Sequence, residues 1–176
     1  YRSVFSIFKS RSIWLVTNLF ATIVAASVVG EFQDIIAQLS ILAVLMPIVA
    51  SMGGTTGQQT LAVVVRSLAT KELNSRNALR MIGKEFMVGL CNGLLFAVMI
   101  GIAVRIWFPG QEMISYIIAL AMLCNLTVAS LAGILIPLTI NRLKIDPAIA
   151  SGVFLIACTD SGGYFIFLGL AKLLLF

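Results

Sequence analysis

The chain is 176 residues long, 60% of them hydrophobic and only 11% charged, where an ordinary soluble domain is about 45–50% apolar and ~25% charged. Its mean hydropathy is +1.08, and a soluble fold of this size leaves about 30% of its unfolded surface in water, so a water-soluble globule is excluded. The net charge is +5 without a single histidine, and Cys91, Cys124 and Cys158 stand alone in apolar stretches, which argues against zinc, haem and thiol-redox chemistry.

Crossing ~30 Å of hydrocarbon takes about 20 mostly apolar helical residues, and largely uncharged runs of that length follow one another along the chain. Residues 1–12 form a short basic lead, expected in the cytoplasm as the possible end of a connecting helix. The first span runs from about Ile13 to Gly30 and closes at the acidic turn Glu31-Phe32-Gln33-Asp34. The second begins near Ile35, stays apolar to Met52, and passes through Gly53-Gly54-Thr55-Thr56-Gly57-Gln58-Gln59 into an apolar tail ending at Leu68. The third runs from about Phe86 to Phe108, where Pro109-Gly110 ends it. The fourth extends from Ile114 to Ile140, and the fifth from Pro147 to Phe176. No fixed-period repeat or low-complexity linker divides them, so residues 13–176 are read as one all-α, polytopic transmembrane domain of five helices.

Orientation follows from the basic residues. Arg2, Lys9 and Arg11 precede the first span; Arg66, Lys71, Arg76, Arg80 and Lys84 lie between the second and third; Arg142 and Lys144 lie between the fourth and fifth. Only Arg105 and Lys172 fall on the other side. The excess of basic residues on cytoplasmic loops then puts the N-terminus inside and the C-terminus outside a plasma (inner) membrane. This distribution explains the net charge without a nucleic-acid partner.

Asp160 lies about fourteen residues into the fifth span, where an ionised carboxylate costs ~2.5–3.5 kcal/mol on insertion scales. The span boundaries leave no basic residue at mid-membrane to pair with it. Water, dipoles, protonation or a bound cation must compensate, so a cation or proton pathway stands beside a hydrogen-bonded structural role. Gly152, Ile156 and Gly163 share its helix face at i−8, i−4 and i+3. Such a stripe suits close approach to another helix or to an aqueous pore. In the second span Pro47, Ser51, Gly54 and Gln58 fall at i, i+4, i+7 and i+11, again one face. Pro47 frees a carbonyl one turn earlier, and a helix presenting carbonyls, hydroxyls and amides along one stripe suits the wall of a hydrated path; a Gly-rich helix contact is the plainer alternative.

Three stretches carry a family resemblance. Pro47 to Ala69, with its Gly53-Gly54-Thr55-Thr56-Gly57-Gln58 core and Arg66-Ser67-Leu68-Ala69 end, is similar to the signature of the MgtE magnesium channel family. Lys84-Glu85 with Gly89 and Asn92-Gly93 resembles that family's third span. Asp146-Pro147-Ala148-Ile149-Ala150-Ser151-Gly152 followed by Thr159-Asp160 resembles its last helix. Thr55, Val153 and Ser161-Gly162-Gly163 depart from the usual residues.

The resemblance implies five helices per subunit, a homodimer in the lipid bilayer, and a pore at the twofold axis lined by the second and fifth helices. Mg2+ would be the transported ion, held through its waters by Asp160 with the Ile156 carbonyl beside it, while Asp146 would stand at the cytoplasmic start of the last helix. Pro47, Ser51, Gly54, Thr55, Gln58, Gly152 and Gly163 would line the pore, and Glu72 and Glu85 would lie near its inner mouth. Members usually carry cytoplasmic regulatory domains ahead of the first span. Mg2+ demands octahedral oxygen ligands and keeps several waters, in keeping with a carboxylate-and-carbonyl site; Mn2+, Co2+ and Ca2+ stay open at this point. An enzyme is not expected, because Asp146 and Asp160 are about 21 Å apart along a helix, too far for an aspartyl dyad. The rival is a secondary transporter in which Asp160 alternates between a cation and a proton.

Overall fold

The structure is a computed structural model that describes residues 4–73 and 77–175, so Arg2, Arg76 and Phe176 lie outside the described residues. Every regular element among those described is a helix: α1 (Val4–Gly30), α2 (Gln33–Gln38), α3 (Ile41–Ala69), α4 (Ala78–Trp107), α5 (Glu112–Arg142) and α6 (Pro147–Leu175). Five of the six, all but α2, are long and apolar enough to cross a membrane. Residues 4–12 of the basic lead are helical and run into the first span without a break.

Two boundaries differ from the sequence reading. The second span does not begin near Ile35. Asp34 sits in the first turn of the short α2, where the positive end of a helix favours an acid, and Leu39 then leaves helical geometry at φ −132°, ψ 81°. Phe32 and Ile35 are buried in the core at that end of the bundle: the Phe32 ring meets Phe165 of α6 edge-on at 6.2 Å, and Lys172 Nζ lies 5.9 Å from its centroid. The apolar residues there cap the bundle instead of starting a span. The third span begins at Ala78, not Phe86, so Arg80, Lys84 and Glu85 ride on the first turns of α4. Charged side chains at a membrane interface can extend along the helix into water, so a helix outruns its uncharged stretch.

α5 is the central post. Of its membrane-crossing stretch 61% is buried inside the subunit, against 6% for α1. Close packing of small residues, the usual means of helix association in lipid, brings its neighbours in. On α4, Gly89, Gly93 and Gly101 face α5: a Cβ on Gly89 would lie 2.8 Å from Ser130 Cβ, and one on Gly93 would lie 2.9 Å from the Leu123 carbonyl. On α5, Gly133 lies against α3, where a Cβ would come within 2.6 Å of the Gly57 carbonyl. α6 packs between α1, α3 and α5. The α4–α5 turn uses Gly110 at φ +88°, a backbone that only glycine adopts freely, and Arg105 pairs with Glu112 across it at 2.8 Å.

Candidate cation pathway

The polar stripe of α3 is open. Pro47, Ser51, Thr55 and Gln58 are all exposed on the subunit, while Gly54 is half-buried. Gly54 is where α3 meets α6: a Cβ there would lie 3.9 Å from Thr159 Oγ1. Thr55 Oγ1 donates to the Ser51 carbonyl at 2.8 Å, which spends its proton within the helix and leaves the hydroxyl oxygen as an acceptor.

Asp160 is half-buried on α6. The recorded ion pair of the described residues is the distant Arg105–Glu112, and among those residues no basic side chain pairs with Asp160. It opens instead, with Tyr164 one turn along, into a cavity of about 280 Å³. Met46 of α3 and Thr22, Ala25, Ala26 and Val29 of α1 form the other walls. A cation with roughly six waters takes about 180 Å³ at the ~30 Å³ that each water occupies in the liquid, which is less than the volume of this hollow. Toward the Pro147 end of α6, Gly152 and Ile156 border a second cavity of about 820 Å³, faced by Arg11, Trp14 and Asn18 of α1. Asn18 Oδ1 is buried there without a hydrogen-bond partner among the described residues. Gly152 also borders a third cavity of about 370 Å³ with Gln58 and Leu61 of α3.

The other expected residues lie as follows. Gly163 is buried, and a Cβ on it would sit 3.2 Å from Asn125 Nδ2 of α5, so within one subunit it faces α5. The α6 face turns between Gly152, where a Cβ would meet nothing within 4 Å, and Gly163. The Ile156 carbonyl lies in unbroken helix and already accepts Thr159 Oγ1 at 3.2 Å. Asp146 is an N-cap: its Oδ1 accepts from Ala148 N at 2.9 Å and its carbonyl from Ala150 N at 3.3 Å, with Pro147 in the first helical position, which suits proline. Glu72 and Glu85 border one hollow of about 380 Å³ together with Arg80 and Lys84, and Glu85 Oε2 accepts Thr60 Oγ1 at 2.9 Å. No group of three or more His, Cys, Asp or Glu side chains suited to a metal ion occurs among the described residues.

Sequence reasoning passed over Asn125, Tyr164 and the α1 wall, and gave Thr159 no role beyond its place in the last-helix motif. Asn125 was the visible one, a lone carboxamide near the middle of an otherwise apolar run.

The sequence profile of the MgtE family, described as a divalent cation transporter, matches residues 46–170. The chain belongs to this family. Its MgtE relatives include the "Magnesium transporter MgtE" of Bacillus subtilis, 35% identical over 158 residues, 90% of this chain and 35% of that protein. The protein of the same name from Enterococcus faecalis is 37% identical over 160 residues, 91% of this chain and 35% of that one. The one from Thermus thermophilus is 29% identical over 171 residues, 97% of this chain and 37% of that one. The chain thus spans about a third of the length of these curated relatives. A polytopic, all-helical MgtE domain of a transporter family, not an enzyme family, is the identity that follows.

Proposed function

We propose that this MgtE domain carries Mg2+ across a membrane through a pore at the twofold axis of a homodimer, lined by α3 and α6, with Asp160 as the cation-binding carboxylate. The observation that carries the reading is Asp160 itself, an acid in the middle of a span, unpaired with any basic residue among those described and open to a cavity of about 280 Å³. A lone carboxylate is a weak site for a cation that keeps its waters. Two copies facing each other across an axis, aided by the Ser51, Thr55 and Gln58 stripe of α3, make a stronger one, because two nearby carboxylates favour a divalent ion between them.

The names of the relatives support Mg2+ as the ion. The basic residues support an orientation with Pro147 and the α3–α4 turn at the cytoplasmic side of the plasma membrane, where Asp146, Glu72 and Glu85 would meet ions at the inner mouth. The added length of the relatives supports cytoplasmic regulatory domains as partners in a full-length protein, with residues 1–12 as the lead that joins them to the transmembrane domain at 13–176.

The test is Mg2+ flux into proteoliposomes, with single-channel recording, for the wild-type chain and Asp160→Asn. Wild-type flux in conducting steps, lost by about tenfold or more in the variant while it elutes as the same folded species, is the expected result. Undiminished conduction by Asp160→Asn sinks the assignment, and saturable flux driven by a proton gradient without conducting steps replaces the pore with a carrier.

A further inference from the structure

We propose that Asn125 is a positioning residue for this transport: its carboxamide fixes the rotation of α6 and hence the direction in which Asp160 faces. The inference rests on the reading of Asp160 as the cation site. Asn125 is 1% exposed near the middle of α5. Its Nδ2 donates to the Val49 carbonyl of α3 at 2.7 Å. One turn further along α3, Gly53 faces the same amide so closely that a Cβ there would overlap Nδ2. From the other side comes Gly163 of α6, where a Cβ would lie 3.2 Å from Nδ2 and 3.3 Å from Oδ1. One side chain of α5 therefore engages both helices proposed to line the path, through a hydrogen bond to one and close glycine contacts with both.

Interhelical hydrogen bonds in membranes are individually modest; the specificity here is steric. The carboxamide keeps this position while glycine stands at 53 and 163: a Cβ at 53 would overlap it, and one at 163 would force it or α6 to give by a few tenths of an ångström. Thr159, one turn before Gly163 and on the same face, is buried toward Gly54. Successive residues are about 100° apart around a helix, so pinning Thr159 and Gly163 inward leaves Asp160 at the edge of that face, looking into the cavity it shares with α1. Were α6 turned by one residue's step, the carboxylate would point into the α3–α5 interior.

The experiment measures Mg2+ flux against Mg2+ concentration, and the Mg2+/Ca2+ flux ratio, in proteoliposomes normalised to folded protein. The variants are Asn125→Leu, which keeps the branched outline with two methyls in place of the amide, and the milder Gly163→Ala, which keeps Asn125 and displaces α6 by a few tenths of an ångström. Support for a metal site commonly alters its affinity 10- to 100-fold, so Asn125→Leu is expected to weaken apparent Mg2+ affinity by about tenfold or more and to shift the ion ratio. Gly163→Ala should do the same to a smaller degree, and Asn125→Ala combined with Gly163→Ala should recover none of the loss, because the double variant has room at 163 but no carboxamide to set the rotation of α6. Wild-type affinity and ion ratio in folded Asn125→Leu and Gly163→Ala, with thermal stability alone reduced, overturn the proposal. Failure of the underlying reading is distinguishable, because Asp160→Asn would then conduct normally whatever the Asn125 variants do.

Discussion

Asp146 and Asp160 stand on the same helix fourteen residues apart, and their surroundings give them different tasks. Asp146 is exposed and holds the first turn of α6 together through Oδ1, a capping arrangement whose loss to alanine typically destabilises by about 1 kcal/mol. Asp146→Ala is therefore expected to lower the thermal unfolding temperature of the purified protein. Asp146→Asn, which retains a capping oxygen, should unfold within a few tenths of a kcal/mol of wild type. Flux measured on the same two variants separates the cap from the charge. If only the alanine variant loses stability but both lose flux, the carboxylate also attracts ions at the pore mouth; unchanged flux in both leaves Asp146 a cap alone. Asp160 caps nothing, since it lies within the body of α6, and a carboxylate at that depth requires a compensating charge or water.

At the scale of whole helices, glycine marks where the bundle is tight. Gly133→Ala would push a methyl against the Gly57 carbonyl and Thr60 Cβ, and backbone yields poorly to such overpacking, so a loss of about 1–3 kcal/mol is expected. Gly83→Ala serves as the control. A Cβ there meets nothing within 4 Å, and alanine in a helix interior is favoured over glycine by up to about 1 kcal/mol, so this variant should be neutral or slightly stabilised in thermal unfolding. Equal effects of the two would mean that α3 and α5 are not packed as described. The apolar runs made five spans legible in the sequence, because hydrocarbon thickness alone demands them. The α4 start was not legible, since Arg80, Lys84 and Glu85 interrupt the run without interrupting the helix, and neither was the break at Leu39, where Phe32 and Ile35 turn back into the core. The Pro47-to-Gln58 stripe was legible from its spacing and is open on one subunit. The role of Gly163 was not, because its partner Asn125 lies on a different helix, and Asn125 itself joins a carbonyl 76 positions away. Helical periodicity reports which residues share a face; it does not report what that face meets.

For the molecule as a whole, the exposed residues of α3 pose a problem that one subunit does not solve. Ser51, Thr55, Gln58 and Gln59 are exposed at the level of a membrane span, and amide groups turned to hydrocarbon without partners cost several kcal/mol each. Water alone relieves this only if something encloses it, and a second copy of the chain is the simplest enclosure, since most oligomers close by a twofold axis with the same patch on both partners. Residues near such an axis lie close to their own copies. Gly152 is the position to test, because it is half-buried with open space around its Cβ direction and borders cavities on two sides. With Cys91, Cys124 and Cys158 first replaced by serine, Gly152→Cys is expected to give a cross-linked dimer in membranes under mild oxidation or with a short bifunctional thiol reagent. Gly163→Cys in the same background should stay monomeric on a denaturing gel, because its side chain would point at Asn125 of its own subunit. The reverse pattern, or a monodisperse monomer that conducts, would place the polar stripe of α3 against something other than a second copy.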